Sequence, residues 1–285
     1  MKSGVDDVRN ALSANFGIVA RSLFSIAHAH LMPWSKEEDY LNNFYSLINS
    51  SGLPNGVPIS TPQSNYDLRV EAQKIHKTLW VDYSRNRTCK SCEIGDILLV
   101  AKYRDPKGVL SRCACLIQVK VSEKNRVFDA WKIDKTQLYL YSKWPTIQSC
   151  YVRYGRAHRL LLRYPLKIRN KNGLFSSYLF VGRTWQPHLL CGPSAWITNT
   201  ALVAAALQTQ KKFQNPLEIP LFTHLLQMLF QTSGERDIVN YKSTNANITT
   251  LVNSLLNYVN LNDPPKGEGK PFLVILLTLK TRELG

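Results

Sequence analysis

Residues 92–120 read CEIGDILLVAKYRDPKGVLSRCACLIQVK, two apolar runs on either side of a polar turn. Each run is too short for a typical helix and rich in Val, Ile and Leu, which predicts two strands. Tyr103 to Gly108, with Asp105-Pro106 and Gly108, supplies the turn chemistry of a hairpin. Side chains alternate along a strand, so Ala114, Leu116, Gln118 and Lys120 share one face, and Cys113, Cys115, Ile117 and Val119 the other. In the first run Asp96 lies with Ile94 and Leu98. Pairing the runs brings a carboxylate, an amide and an ammonium together at the end of a buried sheet. Burying such groups without partners is costly, so their position beside apolar strands asks for a reason.

This arrangement resembles the PD-(D/E)XK nuclease superfamily, whose motif is an Asp on one strand, then Asp or Glu, any residue, and Lys on the next. Asp96 matches the first element and Gln118-Val119-Lys120 the second, with Gln in the acidic position. The resemblance covers roughly residues 65–155. It implies an α/β fold with a restriction-endonuclease-like core, a mixed central sheet flanked by helices. It also implies metal-dependent hydrolysis of phosphodiester bonds in DNA, with Mg²⁺ or Mn²⁺ as cofactor. Asp96 would ligate the metal, the carbonyl oxygens of Gln118 and Val119 could complete the protein ligands, and Lys120 would orient water or stabilise charge on the phosphate.

The superfamily often carries another acid on the helix that precedes the motif. Leu68, Ala72, Ile75 and Leu79 predict a helix from Asp67 to Trp80, and Glu71 at the edge of that stripe is the matching candidate. Glu93 is its rival, but strand parity sets it opposite Asp96, so it would need a bulge or strong twist to reach the same metal. A restriction or antiviral-defence role fits the family. Gln118 also keeps open a non-catalytic nuclease-like protein that binds nucleic acid or assembles with a partner.

The chain has 285 residues, room for one large domain or two small ones, and its apolar fraction of 44% suffices for a core. Lys plus Arg outnumber Asp plus Glu by 36 to 20, a net charge of +16. Such an excess favours a polyanionic partner, nucleic acid such as DNA or an anionic membrane surface. No apolar segment approaches the length of a bilayer span, which argues against a membrane protein. The stretch MKSGVDDVRN lacks the apolar region of a secretory signal, so a cytoplasmic, reducing location is expected, with six cysteines as thiols. A protein partner or homo-oligomer is compatible with all of this.

The expected organisation is a helical extension and linker over 1–64, a nuclease-like core over 65–185, and a helix-and-strand elaboration over 186–285. Residues 4–32 and 36–48 have helical spacing, the second with Ser35 and Glu38 as a capping box. His28 and His30, two apart, do not share a helix face and read as structural. Residues 49–66, rich in Gly, Pro, Ser and Asn, form the linker. Asp134 with Gln137 opens a helix that stops near Pro145, and Gln137 could face the site or the surface. Strands are expected over 149–154, 174–184 and 271–279, and helices over 194–207, 221–230 and 249–259. Arg153, Arg156, Arg159 and Arg163, punctuated by tyrosines, form a basic tract suited to phosphates or simply to solvent. Cys89, Cys92, Cys113 and Cys115 could supply a structural zinc, but core packing suits them better. No phosphate-binding glycine loop, His-Glu-x-x-His zinc motif or nucleophile elbow occurs.

Overall fold

The computed structural model describes residues 36–50, 53–60, 65–75, 78–104, 110–122, 130–154, 157–162, 165–167, 176–182, 195–209, 246–260 and 270–281. Among them are four α-helices: α1 (Glu37–Ser50), α2 (Lys135–Lys143), α3 (Thr200–Thr209) and α4 (Ala246–Asn260). The strands are β1 (Val57–Ser60), β2 (Asn65–Ile75), β3 (Leu79–Arg85), β4 (Thr88–Glu93), β5 (Ile97–Arg104), β6 (Leu110–Val121), β7 (Ile147–Tyr154), β8 (Ala157–Leu162), β9 (Ser176–Val181), β10 (Ala195–Asn199) and β11 (Phe272–Thr281). They build a mixed seven-stranded sheet, ordered β1-β2-β11-β5-β6-β9-β10, and a four-stranded sheet, ordered β4-β3-β7-β8. The fold is mixed α/β.

The opening stretch forms the centre of the larger sheet. β5 and β6 pair antiparallel from Ile97–Ile117 to Arg104–Leu110, as a hairpin requires. β11 lies parallel to β5 on one side, and β9 lies parallel to β6 on the other. These neighbours make the hairpin strands central, and side chains on both of their faces are buried, Leu98, Val100, Ala114 and Leu116 on one and Leu99, Cys115, Ile117 and Val119 on the other, which accounts for their apolar runs. On the face of Leu98, Val100, Ala114 and Leu116, one cluster also takes in Val81, Tyr83 and Val152 of the smaller sheet, Leu140 and Tyr141 of α2, and Leu255 of α4. Asp96 and Gln118 stand at the rim of this cluster. Fully burying each such aliphatic side chain stabilises by about 1.5–3 kcal/mol, so the rim is firmly based.

The helix expected over residues 67–80 is two strands instead. Leu68, Ala72, Ile75 and Leu79 fit a helical stripe, but Tyr66, Leu68, Val70 and Ala72 also alternate, and all four are buried in β2. Pairing decides: β2 is bonded on one edge to β1, from which four residues separate it, and on the other to β11, which comes from distant sequence. The segment 194–207 likewise splits, with β10 preceding α3. The strands expected over 149–154, 174–184 and 271–279 correspond to β7, β9 and β11, and the helix over 249–259 to α4. The helices expected over 4–32 and 221–230, and His28 and His30, lie outside the described residues.

Helix starts follow local chemistry. Asp134 caps α2, its Oδ1 accepting from the Thr136 N–H at 2.7 Å and the Gln137 N–H at 2.9 Å. Trp144 ends that helix in a left-handed conformation, φ 41°, before Pro145. At α1, Asp39 Oδ2 accepts from the Lys36 N–H at 2.6 Å, so the acid that reaches back is Asp39. Acids fill the first turn, Glu37, Glu38 and Asp39, where the helix dipole favours negative charge.

Candidate active site

The site begins where the chain changes sheet. β4 ends at Glu93 in the smaller sheet and β5 begins at Ile97 in the larger one. The Ile94 N–H donates to Leu79 O at 3.0 Å, on the first side, and the Asp96 N–H donates to Ile117 O at 3.0 Å, on the second. Gly95 makes the crossing at φ +156°, where a Cβ would stand 2.6 Å from the Tyr141 hydroxyl. That hydroxyl donates to Ile94 O at 2.8 Å and fixes the crossing. The switch of sheet is what brings Glu93 round to the same side as Asp96, the role that strand parity alone denied it.

Asp96 is 1% exposed. Its Oδ2 accepts from the Val119 N–H at 2.7 Å and from the Gln118 side-chain amide. Gln118 Oε1 accepts in turn from Gln137 Nε2, which also donates to Glu93 O at 3.3 Å. Gln118 and Gln137 are both buried, and together they form a neutral relay from the helix α2 to the carboxylate. In this arrangement Gln118 turns its amide nitrogen toward Asp96, and its oxygen is taken by Gln137.

The other oxygen of Asp96 faces cations. Lys270 Nζ lies 2.6 Å from Asp96 Oδ1, 2.6 Å from Glu37 Oε2 and 3.4 Å from Glu93 Oε2. Lys120 Nζ lies 3.2 Å from Glu37 Oε1. Three carboxylates and two ammoniums thus meet at the joint end of β5, β6 and β11. Burial pushes the Asp96 carboxyl up to about 6, although Lys270 and Lys120 pull the other way. Burial also raises Glu37, but Lys120 and Lys270 outweigh it and leave that acid below its ordinary value. For Lys270 burial favours the neutral form, and Asp96, Glu37 and Glu93 overcome it, so the ammonium is held well above the usual lysine range.

The donor set fits a hard divalent cation in kind, since carboxylate oxygens from Asp96, Glu37 and Glu93 aim at one point. Among the described residues no group of three or more His, Cys, Asp or Glu side chains is placed to hold a metal ion. The three carboxylates close on the Lys270 ammonium. Beside them opens a cleft of ≈ 300 Å³ bordered by Trp80, Glu93, Lys120 and Gln137.

The other candidates fall elsewhere. Glu71 is exposed on β2, opposite Leu276. Register sets Ile75, not Glu71, at the level of Asp96; Glu71 is four residues along and two strands over, on the order of 15 Å away by strand spacing. Arg153 is exposed on β7, with its guanidinium 3.9 Å from the Trp80 ring centroid and 3.3 Å from the Tyr151 hydroxyl. Arg159 on β8 pairs in register with Val152, so it belongs to the opposite face, where it lies 5.1 Å from the Tyr258 ring. Arg156 and Arg163 lie outside the described residues. Cys89 is exposed and Cys92 buried on β4, three positions and hence one face apart, while Cys115 is buried in the other sheet.

Glu37 and Lys270 were not expected at the site. They stand 83 and 150 positions from Lys120 on either side of the motif, the second figure being 270 − 120. The available signals were an acid-rich helix start and a lysine just before the buried run PFLVILLTL. No protein-family model, no curated protein and no solved structure matches the chain.

Proposed function

We propose that this chain is a metal-dependent nuclease that hydrolyses phosphodiester bonds of DNA, built on a restriction-endonuclease-like core. The observation that carries the reading is the gathering of Asp96 and Lys120, at the joined ends of β5 and β6, with Glu37 of α1 and Glu93 of β4 around the Lys270 ammonium, beside a cleft that Glu93 and Lys120 line. The motif hairpin β5–β6, with α2 following and β9 parallel to β6, supports the family resemblance. Glu37, on the helix α1, takes the part of the additional helix acid assigned from sequence to Glu71.

Mg²⁺ or Mn²⁺, held by Asp96 with Glu37 and Glu93 as further oxygen donors, would supply Lewis-acid stabilisation of phosphoryl charge and an acidified water. Val119 N–H and the Gln118 amide fix Asp96 Oδ2, so the Oδ1 edge is the one left to face a cation. Gln118 is therefore a positioning residue, held by Gln137. Lys120, bordering the cleft, turns its ammonium toward a bound phosphate and stabilises charge that builds there. The net charge of +16 draws the polyanion in.

The test is plasmid cleavage in Mg²⁺ or Mn²⁺. Asp96→Ala and Lys120→Ala should each abolish cleavage and leave the protein folded and able to bind DNA, with the double variant little worse than either. Cleavage surviving both alanine variants would remove this site as the catalyst. A second reading, a non-catalytic nuclease-like protein that binds nucleic acid, is favoured by one feature: Lys270 already satisfies all three carboxylates. A wild type inert with every metal would leave that reading standing.

A further inference from the structure

Lys270 occupies the point on which the acids converge. An ammonium has three hydrogens to donate, and Asp96 Oδ1, Glu37 Oε2 and Glu93 Oε2 offer it one oxygen each. Its charge and that of Lys120 offset two of the three carboxylates. With Lys270 withdrawn, three anionic oxygens would face one another, one of them on the buried Asp96, which is costly unless another cation enters. The main chain beside Lys270 is anchored, since its carbonyl accepts from Thr78 Oγ1 at 3.2 Å and β11 starts two residues later. The four-carbon stem is the part free to move.

We propose that Lys270 is a tethered cation that competes with the divalent metal for Asp96, Glu37 and Glu93, so that metal enters only as this ammonium leaves. The proposal rests on the metal-dependent reading above and extends it to control of the site. An ammonium seated on the acids blocks the metal without needing a second domain or a lid. The departing ammonium requires a new anionic partner, and the cleft beside it is where the nucleic-acid phosphate binds on this reading. Metal and polyanion therefore favour each other's binding, the metal by freeing Lys270 for the phosphate and the phosphate by drawing Lys270 off the acids. Lys120 differs from Lys270 in this respect, because among the described residues its ion pair is with Glu37 alone.

The experiment is Mn²⁺ binding by the full chain without DNA, followed by electron paramagnetic resonance of free Mn²⁺ and by calorimetry. If the ammonium is seated about nine-tenths of the time, apparent affinity is lowered about tenfold, so Lys270→Gln should bind Mn²⁺ about tenfold more tightly than wild type. Lys270→Arg keeps the charge and should stay near wild type. Asp96→Asn should lose the binding in either background. Thermal unfolding adds a second readout: Lys270→Gln should melt below wild type without metal and gain more from Mn²⁺. Should Lys270→Gln fail to fold, the wild type still decides, because its buried Nζ resonance should move to the position of a solvent-exposed lysine on Mg²⁺ binding. Asp96-dependent Mn²⁺ binding that is equally strong in wild type and Lys270→Gln would overturn the competition while leaving the metal site intact. An unmoved Nζ resonance in Mg²⁺-bound wild type would do the same. No Mn²⁺ binding by either protein would overturn both this proposal and the metal-dependent reading.

Discussion

Cys89, Cys92, Cys115 and Cys150 divide by burial into two chemical kinds. Burial pushes the thiols of Cys92, Cys115 and Cys150 up to about 12, and nearby acids add to the effect at Cys92 and Cys150. At pH 8 these groups are almost wholly protonated, and only the thiolate attacks an alkylating reagent. Cys89 is exposed on β4. Among these four, iodoacetamide at pH 8 should therefore label Cys89 alone in the native protein, and all four once the chain is unfolded, read by peptide mass spectrometry. Rapid native labelling of Cys115 would mean that the centre of the larger sheet opens readily. The same residue-scale logic governs Gln118. A carboxylate there would oppose Asp96 in a pocket that already holds Glu37 and Glu93, whereas an amide can donate to Asp96 and accept from Gln137.

At the scale of elements, the crossing at Gly95 joins the two sheets and sets the angle at which Glu93 and Asp96 meet. A side chain at Gly95 would both strain the backbone and collide with the Tyr141 hydroxyl. Gly95→Ala should cost about 2–4 kcal/mol in urea unfolding. Tyr141→Phe removes the obstacle and one hydrogen bond to Ile94 O, at about 1 kcal/mol. The double variant should then be at least about 1 kcal/mol more stable than the sum of the singles predicts, since the two changes share one contact. Strict additivity would show that the strain lies wholly in the backbone. This crossing also marks where the sequence stopped being informative. The apolar runs around Asp96 and Gln118 announced their own pairing, because alternation and a short polar turn act over a few residues. Residues 67–80 satisfied two periods at once, and the contest was settled by β11, which arrives from near the far end of the chain. For the same reason Asp96, Gln118 and Lys120 could be grouped in advance, whereas Glu37 and Lys270 depend on contacts that no local pattern encodes.

At the scale of the whole molecule, the two described arginines of the basic tract do not share one surface. Arg153 and Arg159 are six positions apart in a meander, but register sends Arg153 to the face of Trp80 and Arg159 to the face of Tyr258. Trp80 borders the cleft beside Lys120, so of these two arginines Arg153 is on the cleft's side, and on the nuclease reading it is the one a phosphate backbone would meet. Each phosphate neutralised on duplex DNA releases counterions and contributes about 0.9 to the slope of log affinity against log salt. Arg153→Ala should accordingly weaken duplex binding and flatten that slope by about 0.9, whereas Arg159→Ala should leave the slope as it is. Fluorescence anisotropy with a labelled duplex across a salt series gives both quantities. Arg153→Gln should share the flattened slope, because it too lacks the charge. Arg153→Lys keeps the charge and should retain the slope even if its contact with Trp80 weakens. Equal flattening by Arg153→Ala and Arg159→Ala would mean that DNA contacts both faces of the smaller sheet. An unchanged slope in all of them would move the phosphate path away from β7.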